Sequence, residues 1–330
     1  MGRAMALTSV YALELVGEND AFACYEAAAL TTDVRRVAPG IALTSRRPPS
    51  PDRLAYTRTI SRVVARTTAD VERATRALAN RSLGHTGTAA VRARSIRGCG
   101  IDTQQAERSL GRVLVDQGFS IDLDDPDHTL RALFAGDRAV LGWLVDEPAH
   151  GFADRQPTNR PFFQPGSMAP RLALALVNLT GVEQGERLLD PMCGTGGSLI
   201  EAGRIGVFPV GLDVQSRMIE GTRTNLAEYG IRGDVIRGDA SRLPFDDATM
   251  DAVVIDVPYG RQSKIASDDS PTLIADVLGE LGRVTSRAIL VADRSISRTA
   301  REAGWTVRAT FAHRVHRSLT RHIHDLHHSG

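Results

Sequence analysis

Lysine is almost missing from this chain: of its 40 basic residues one is a lysine, Lys264, so the other 39 are arginines. Codon bias alone could produce that, and it assigns no partner. Cysteine is also scarce. Cys24, Cys99 and Cys193 are odd in number and far apart, without the spacing of a disulfide framework, a zinc site or a redox pair. Long apolar runs are absent, none reaching the roughly 18–20 residues that a membrane span needs. The apolar stretch at 11–17 is broken by Glu14 and lacks a cleavage pattern. Secreted, disulfide-stapled, zinc-finger and membrane classes are thereby set aside, and a soluble cytoplasmic protein is expected. What is present is globular: 42% apolar and 24% charged residues. At 330 residues the chain exceeds one ordinary core, which predicts two or three domains.

The net charge of +1 conceals a strong segregation. From Arg46 to Arg112 there are fourteen arginines against five acids, and from Asp116 to Glu147 eight acids against two arginines. Proline-marked joints lie at Arg46-Arg47-Pro48-Pro49-Ser50-Pro51 and between Pro148 and Pro161. These features divide the chain into 1–47, 48–147 and 155–330. The first part predicts a strand at 10–16, a helix at about 20–30 and a further strand. The second predicts a strand at 88–94, a helix at 102–117 and strands near 120–123, 129–134 and 139–145, an α+β unit.

The last part alternates strand and helix, as a parallel, doubly wound sheet does. Strands are expected at 187–190, 208–213, 234–239, 251–256 and 287–292. A helix at about 294–303 and two further strands, 306–311 and a short one near Val315, complete an α/β, Rossmann-like layout. Six of the nine histidines follow residue 312. They are expected to form a frayed polar tail rather than a metal site.

Open α/β sheets bind ligands beyond the carboxyl ends of their strands. Four of the expected strands end in aspartate: Asp190, Asp213, Asp239 and Asp256. Capping explains any one of them, but four in succession indicate a site. The first loop, Asp190-Pro191-Met192-Cys193-Gly194-Thr195-Gly196-Gly197-Ser198, lacks the lysine of a triphosphate loop. It also has Leu199 where a dinucleotide fingerprint needs glycine or alanine. A ligand with adenosine and no phosphate remains, and S-adenosyl-L-methionine is such a ligand. Asp213, 23 residues after Asp190, suits the ribose hydroxyls, with Asp239 and Ala240 beside the adenine.

The fourth strand runs into Asp256-Val257-Pro258-Tyr259-Gly260. An exocyclic base amine is a poor nucleophile because its lone pair is delocalised into the ring. A carboxylate and a backbone carbonyl that accept its two N–H groups can hold the nitrogen nearly tetrahedral. Asp256 and the Val257 carbonyl suit that task, and Tyr259 offers a face for a base drawn out of its stack.

These residues resemble a known family. Asp-Pro-Met-Cys-Gly-Thr-Gly-Gly followed by Asp-Val-Pro-Tyr is similar to the class I amino-methyltransferases of nucleic acids. The runs Arg160-Pro161-Phe162-Phe163-Gln164-Pro165-Gly166-Ser167-Met168 and His316-Arg317-Ser318-Leu319-Thr320-Arg321 narrow the resemblance to the archaeal-type THUMP-domain tRNA methyltransferases acting on the 2-amino group of guanosine at position 10. The resemblance implies a ferredoxin-like piece at 1–47, a THUMP RNA-binding domain at 48–147 and the methyltransferase domain at 155–330. It implies a cofactor loop of Asp190, Cys193, Gly194 and Gly196, with Asp213 on the ribose and Asp239 near the adenine. Pro165 and Ser167 fall near the methionine end of the cofactor, and Asp256, Pro258 and Tyr259 match the catalytic motif. No metal is implied. The chain departs at Val257, where the family usually has proline, and a looser backbone is expected there. In the second part Arg92, Arg94 and Arg97 are candidates for RNA phosphate contacts. tRNA is the implied partner, a small activator protein remains open, and a monomer is implied. The competing readings are an amino-methyltransferase of ribosomal RNA or DNA, and a non-catalytic RNA-binding protein.

Overall fold

A computed structural model of the chain describes residues 9–257, 270–316 and 319–329. Two compact units divide it, Met1–Ala149 and His150–Gly330. The first contains β1 (Tyr11–Leu15), α1 (Asp20–Ala28), β2 (Arg35–Ala38), β3 (Ile41–Thr44), β4 (Thr57–Thr68), α2 (Val71–Ala79), β5 (Thr88–Ile96), α3 (Thr103–Asp116), β6 (Ser120–Ile121), β7 (His128–Ala135) and β8 (Arg138–Asp146). The strands form one sheet in the order β2-β3-β1-β4-β8-β7-β5-β6. β4, which the sequence reading leaves unplaced, pairs with β1 on one side and β8 on the other. The sheet therefore runs on past the proline joint at 46–51. One face, Thr57, Thr59 and Ser61, is buried throughout, while the other passes from exposed Arg58 to fully buried Ile60. Helices α2 and α3 start at Asp70 and Asp102, whose carboxylates accept the backbone N–H of Arg73 and Gln105 at 2.8 and 3.0 Å. Their apolar stripes, including Leu78, Leu110 and Leu114, meet Phe134 and Trp143 of the sheet.

The second unit contains α4 (Pro170–Leu179), β9 (Arg187–Asp190), α5 (Gly197–Arg204), β10 (Phe208–Asp213), α6 (Ser216–Glu228), β11 (Asp234–Arg237), β12 (Ala252–Asp256), α7 (Ser270–Val284), β13 (Arg287–Ala292), α8 (Ser297–Glu302), β14 (Trp305–His316) and β15 (Leu319–His328). The sheet order is β11-β10-β9-β12-β13-β15-β14. β9 to β13 are parallel, and β15 is antiparallel to both of its neighbours. The five parallel strands stand where the sequence places them. The order leaves β9 in one direction through β10 and β11 and in the other through β12 and β13, so the ligand crevice of such a sheet opens between β9 and β12.

The carboxyl-terminal expectation is corrected. The stretch after residue 312 is not frayed: β15 inserts between β13 and β14, and Ile323, His324 and Leu326 are fully buried. A neutral imidazole can be buried when both nitrogens are bonded. The Nε2 of His324 accepts the Ile296 N–H at 3.2 Å and its Nδ1 lies 3.2 Å from the Leu290 carbonyl. Burial lowers its pKa and keeps it neutral. Composition labels such a segment polar, whereas its geometry makes it a core strand. Among the described residues no three His, Cys, Asp or Glu side chains are grouped as a metal would need.

Candidate active site

Asp190 closes β9 and is buried. Its Oδ1 accepts the Met192 N–H at 3.1 Å, and its Oδ2 accepts the Ser198 hydroxyl at the start of α5. Burial pushes its pKa up to about 7, against the pull of those hydrogen bonds. The loop turns through Gly194 and Gly196, at φ of +52° and +78°. A Cβ on Gly194 would project into open space, whereas one on Gly196 would lie 2.9 Å from Thr222 Cγ2. Cys193 sits in the loop, but its side chain packs into the apolar cluster of Leu199, Ile200, Ile219 and Leu226. Its thiol is pushed up by burial and is held as a small apolar group.

Asp213 stands at the next strand end. Its Oδ2 accepts the Gly194 N–H at 3.2 Å and its Oδ1 the Gln215 N–H at 2.9 Å. Burial raises its pKa. Asp239, exposed beyond β11, accepts the N–H and hydroxyl of Ser241 on Oδ1 at 2.9 and 2.7 Å. Ala240 is buried in the core beside it. The structure thus brings Asp190, Gly194, Gly196 and Asp213 into one contact set at the carboxyl edge of the sheet.

Residues 155–167 are fastened to this edge by side chains to which, Ser167 apart, the sequence reading assigns no part. Asn225 of α6 is fully buried; its Oδ1 accepts the Phe162 N–H at 2.9 Å, and its Nδ2 donates to the carbonyls of Phe162 and Thr195 at 2.9 and 3.0 Å. Phe162 fills the space a side chain at Gly221 would take. Arg155 makes a buried two-pronged pair with Glu201 of α5, both bonds 2.9 Å. Arg160 is buried next to Thr195, 3.4 Å from its hydroxyl, and its Nε has no partner among the described residues. Ser167 bonds the Gln164 carbonyl at 2.6 Å and the Thr195 hydroxyl at 3.0 Å, while Pro165 is exposed.

Asp256 ends β12, across the crevice from Asp190. Its Oδ2 lies 3.1 Å from Nη2 of Arg321, and its Oδ1 is buried with no partner among the described residues. Burial pushes its pKa up to about 6, with Arg321 pulling the other way. Val257 is not loosely held, contrary to expectation: its N–H donates to Val291 at 2.9 Å and carries the β12–β13 ladder one bond further. Proline could not make that bond. Pro258 and Tyr259 lie outside the described residues. Arg321 belongs to a run on which the resemblance rested, yet that run assigned it no role.

In the first unit, the three candidate arginines are each anchored. Arg92 donates to the Leu123 carbonyl at 2.5 Å, Arg94 pairs with Glu14 at 2.9 Å and Arg97 with Asp20 at 2.5 Å. Glu14 and Asp20 are buried, and Glu14 also meets Arg131 at 2.8 Å and Thr59 at 2.9 Å. Arg94 and Arg97 remain 38% and 40% exposed, so part of each guanidinium faces solvent.

The RMKL-like methyltransferase domain of UPF0020 matches residues 157–323. The tRNA (guanine(10)-N2)-dimethyltransferase of Methanothermobacter thermautotrophicus is 41% identical over 246 residues, covering 71% of each chain. The enzyme of that name from Pyrococcus abyssi is 33% identical over 245 residues, 72% of this chain and 73% of its own. The crystal structure of TrmN from Thermus thermophilus shares the fold, with a TM-score of 0.54 at 20% identity and coverage of 97% and 99% of the two chains. With the relatives and the domain in agreement, the chain belongs to the family of the tRNA (guanine(10)-N2)-dimethyltransferases, built on an RMKL-like methyltransferase domain.

Proposed function

We propose that this protein transfers methyl groups from S-adenosyl-L-methionine to the exocyclic N2 of the guanosine at position 10 of tRNA. The observation that carries the reading is Asp256, a partly paired carboxylate with one unpartnered buried oxygen, facing Asp190 across the strand-order reversal. Residues around the crevice fit the cofactor. Gly194 leaves open space above its backbone, and Asp213 and Asp239 supply acceptors for hydroxyl and amine groups. No phosphate-binding lysine stands in the loop.

When bound, the cofactor supplies an electrophilic methyl group on a sulfonium. Asp213 would hold the ribose, Asp239 and Ala240 would border the adenine, and Pro165 and Ser167 would lie toward the methionine end. Asp190, Cys193, Gly194 and Gly196 shape the loop beneath. Asp256 in its ionised form accepts one amine N–H and the Val257 carbonyl the other, which turns the nitrogen lone pair outward. The chain's contribution is orientation. A monomethylated amine keeps one N–H, so the same site can act twice. Pro258 and Tyr259 complete the motif, with Tyr259 as the stacking face.

The division into a ferredoxin-like piece at 1–47, a THUMP domain at 48–147 and a methyltransferase domain at 155–330 belongs to this proposal. Arg92, Arg94 and Arg97 then supply phosphate contacts. The protein would work as a cytoplasmic monomer on tRNA, with a small activator protein as an added factor to be tested by reconstitution. Among the described residues no helix is long and apolar enough to cross a membrane.

Mass spectrometry of nucleosides from tRNA incubated with the protein and labelled S-adenosyl-L-methionine tests the reading. Label in N2-methylguanosine and N2,N2-dimethylguanosine is expected. Label found only with ribosomal RNA or DNA would replace the substrate, and no label with any nucleic acid would leave a binding protein. Asp256→Ala should lower transfer by about 10²–10⁴-fold with cofactor affinity retained.

A further inference from the structure

Arg321 lies on β15, its side chain only 4% exposed. Its Nη2 is 3.1 Å from Asp256 Oδ2 and donates to the Gly166 carbonyl at 3.0 Å. One nitrogen with two hydrogens therefore serves a carboxylate at the end of β12 and a carbonyl in the segment fastened over the glycine loop. The topology explains how it gets there. β15 runs against the parallel strands, so its first residues reach the edge where those strands end. His322 pairs with Ala292, the last residue of β13, and Arg321 projects one step beyond.

We propose that Arg321 is a positioning residue for methyl transfer, which sets the Asp256 carboxylate in place and ties it to the 160–168 segment through the Gly166 carbonyl. The proposal rests on the reading of Asp256 as the amine acceptor. Arg321 touches neither the amine nor the methyl group and acts through Asp256. A carboxylate largely withdrawn from water, as Asp256 is at 25% side-chain exposure, takes up a proton more readily unless a cation stands by it, and the protonated carboxyl holds an amine less well. Among the described residues, the other charged groups on the elements flanking Asp256 are these. β9 contributes Asp190, a like charge. β13 presents Val291 and Ala292, and Asp293 beyond them lies 3.9 Å from Arg294. α7 turns Glu280 toward Arg283 and the Leu243 N–H. β15 adds His322 next to Arg321.

The test compares Arg321→Gln and Arg321→Lys with the unaltered protein, using tRNA transcript and a range of cofactor concentrations that reaches saturation. Initial rates are taken from about pH 6 to about pH 9, and the ratio of variant to unaltered rate is plotted against pH. Asp190 is present in every protein, so the part of its titration that is independent of Asp256 divides out of the ratio. For Arg321→Gln the ratio should climb with pH by about tenfold or more, because alkali restores the charge the cation no longer protects. Arg321→Lys restores the cation without the fixed fork; its ratio should be nearly flat, with a raised KM for the cofactor and a smaller effect on kcat. A flat ratio for folded Arg321→Gln overturns the proposal, since a merely structural defect has no such slope. If Arg321→Gln fails to fold, Arg321→Lys decides alone: a raised cofactor KM supports the proposal and an unchanged one overturns it. Asp256→Asn separates the two levels. Full transfer by that variant would remove the reading of Asp256 itself, whereas an inactive Asp256→Asn beside a flat Arg321→Gln ratio removes only the role of Arg321.

Discussion

Asn225 holds Phe162 as a neighbouring strand would, accepting its N–H and donating to its carbonyl, both at 2.9 Å. The amide does this from the buried face of α6 and spends its second hydrogen on the Thr195 carbonyl. Asn225→Ala removes all three bonds and leaves buried backbone groups unpaired, at a cost of about 2–4 kcal/mol. Urea unfolding should show that loss. Calorimetry on the folded variant should show weaker cofactor binding, and an unchanged affinity would separate this latch from the cofactor site.

Gly196 fits its turn at φ +78° with Thr222 beneath it. Gly196→Ala adds both left-handed strain and a contact at 2.9 Å, which should cost about 1–2 kcal/mol. Equilibrium dialysis should show roughly tenfold weaker cofactor binding, equivalent to about 1.4 kcal/mol. Affinity for tRNA should not change.

Asp190 has a folded-state pKa of about 7, well above the roughly 3.9 of an unfolded aspartate. Its contribution to the stability of the ligand-free protein is therefore fully present below about pH 4 and lost as pH rises through about 7. Asp190→Asn should flatten this part of the melting-temperature profile. Binding a sulfonium nearby favours the ionised carboxylate, so cofactor binding near pH 6 should release protons. Calorimetry in buffers of different ionisation enthalpy measures that release, which Asp190→Asn should reduce, with raised carboxyls such as Asp256 supplying the remainder.

The anchored arginines predict two different outcomes. Arg92→Ala removes a guanidinium that donates to the Leu123 carbonyl in the loop after β6, so tRNA binding should weaken while folding is nearly unchanged. Arg97→Ala also strips a cation from buried Asp20 and should lower stability by about 1–2 kcal/mol. Each loss should reduce the salt dependence of tRNA binding by about one unit of slope. Filter binding across salt concentrations, with thermal melts alongside, distinguishes the two.

The periodic, apolar elements of the second unit were legible. Leu188 and Leu189, or Val253 to Ile255, are buried on both faces of a parallel sheet and read as continuous apolar runs. The aspartates were legible because each follows such a run. Asn225 was not, since an asparagine inside an amphipathic helix looks like any surface amide until its partners, 63 and 30 residues away, are known. Arg321 was visible as part of a characteristic run, but its meeting with Asp256 depends on where β15 enters the sheet. That insertion followed from no local pattern, because His324 and Asp325 read as polar yet lie in the core. β4 was hidden by arginines at 58, 62 and 66 that interrupt its β-branched run.

The entry of β15 between β13 and β14 also sets an order in time. Arg321 follows every other site residue in the chain, so during synthesis the glycine loop and Asp256 are made before the cation that meets the acid. Without β15, β13 would have a strand partner only on its β12 side. With the role proposed for Arg321, the pairing of Asp256 and the closure of the sheet depend on the entry of the same strand.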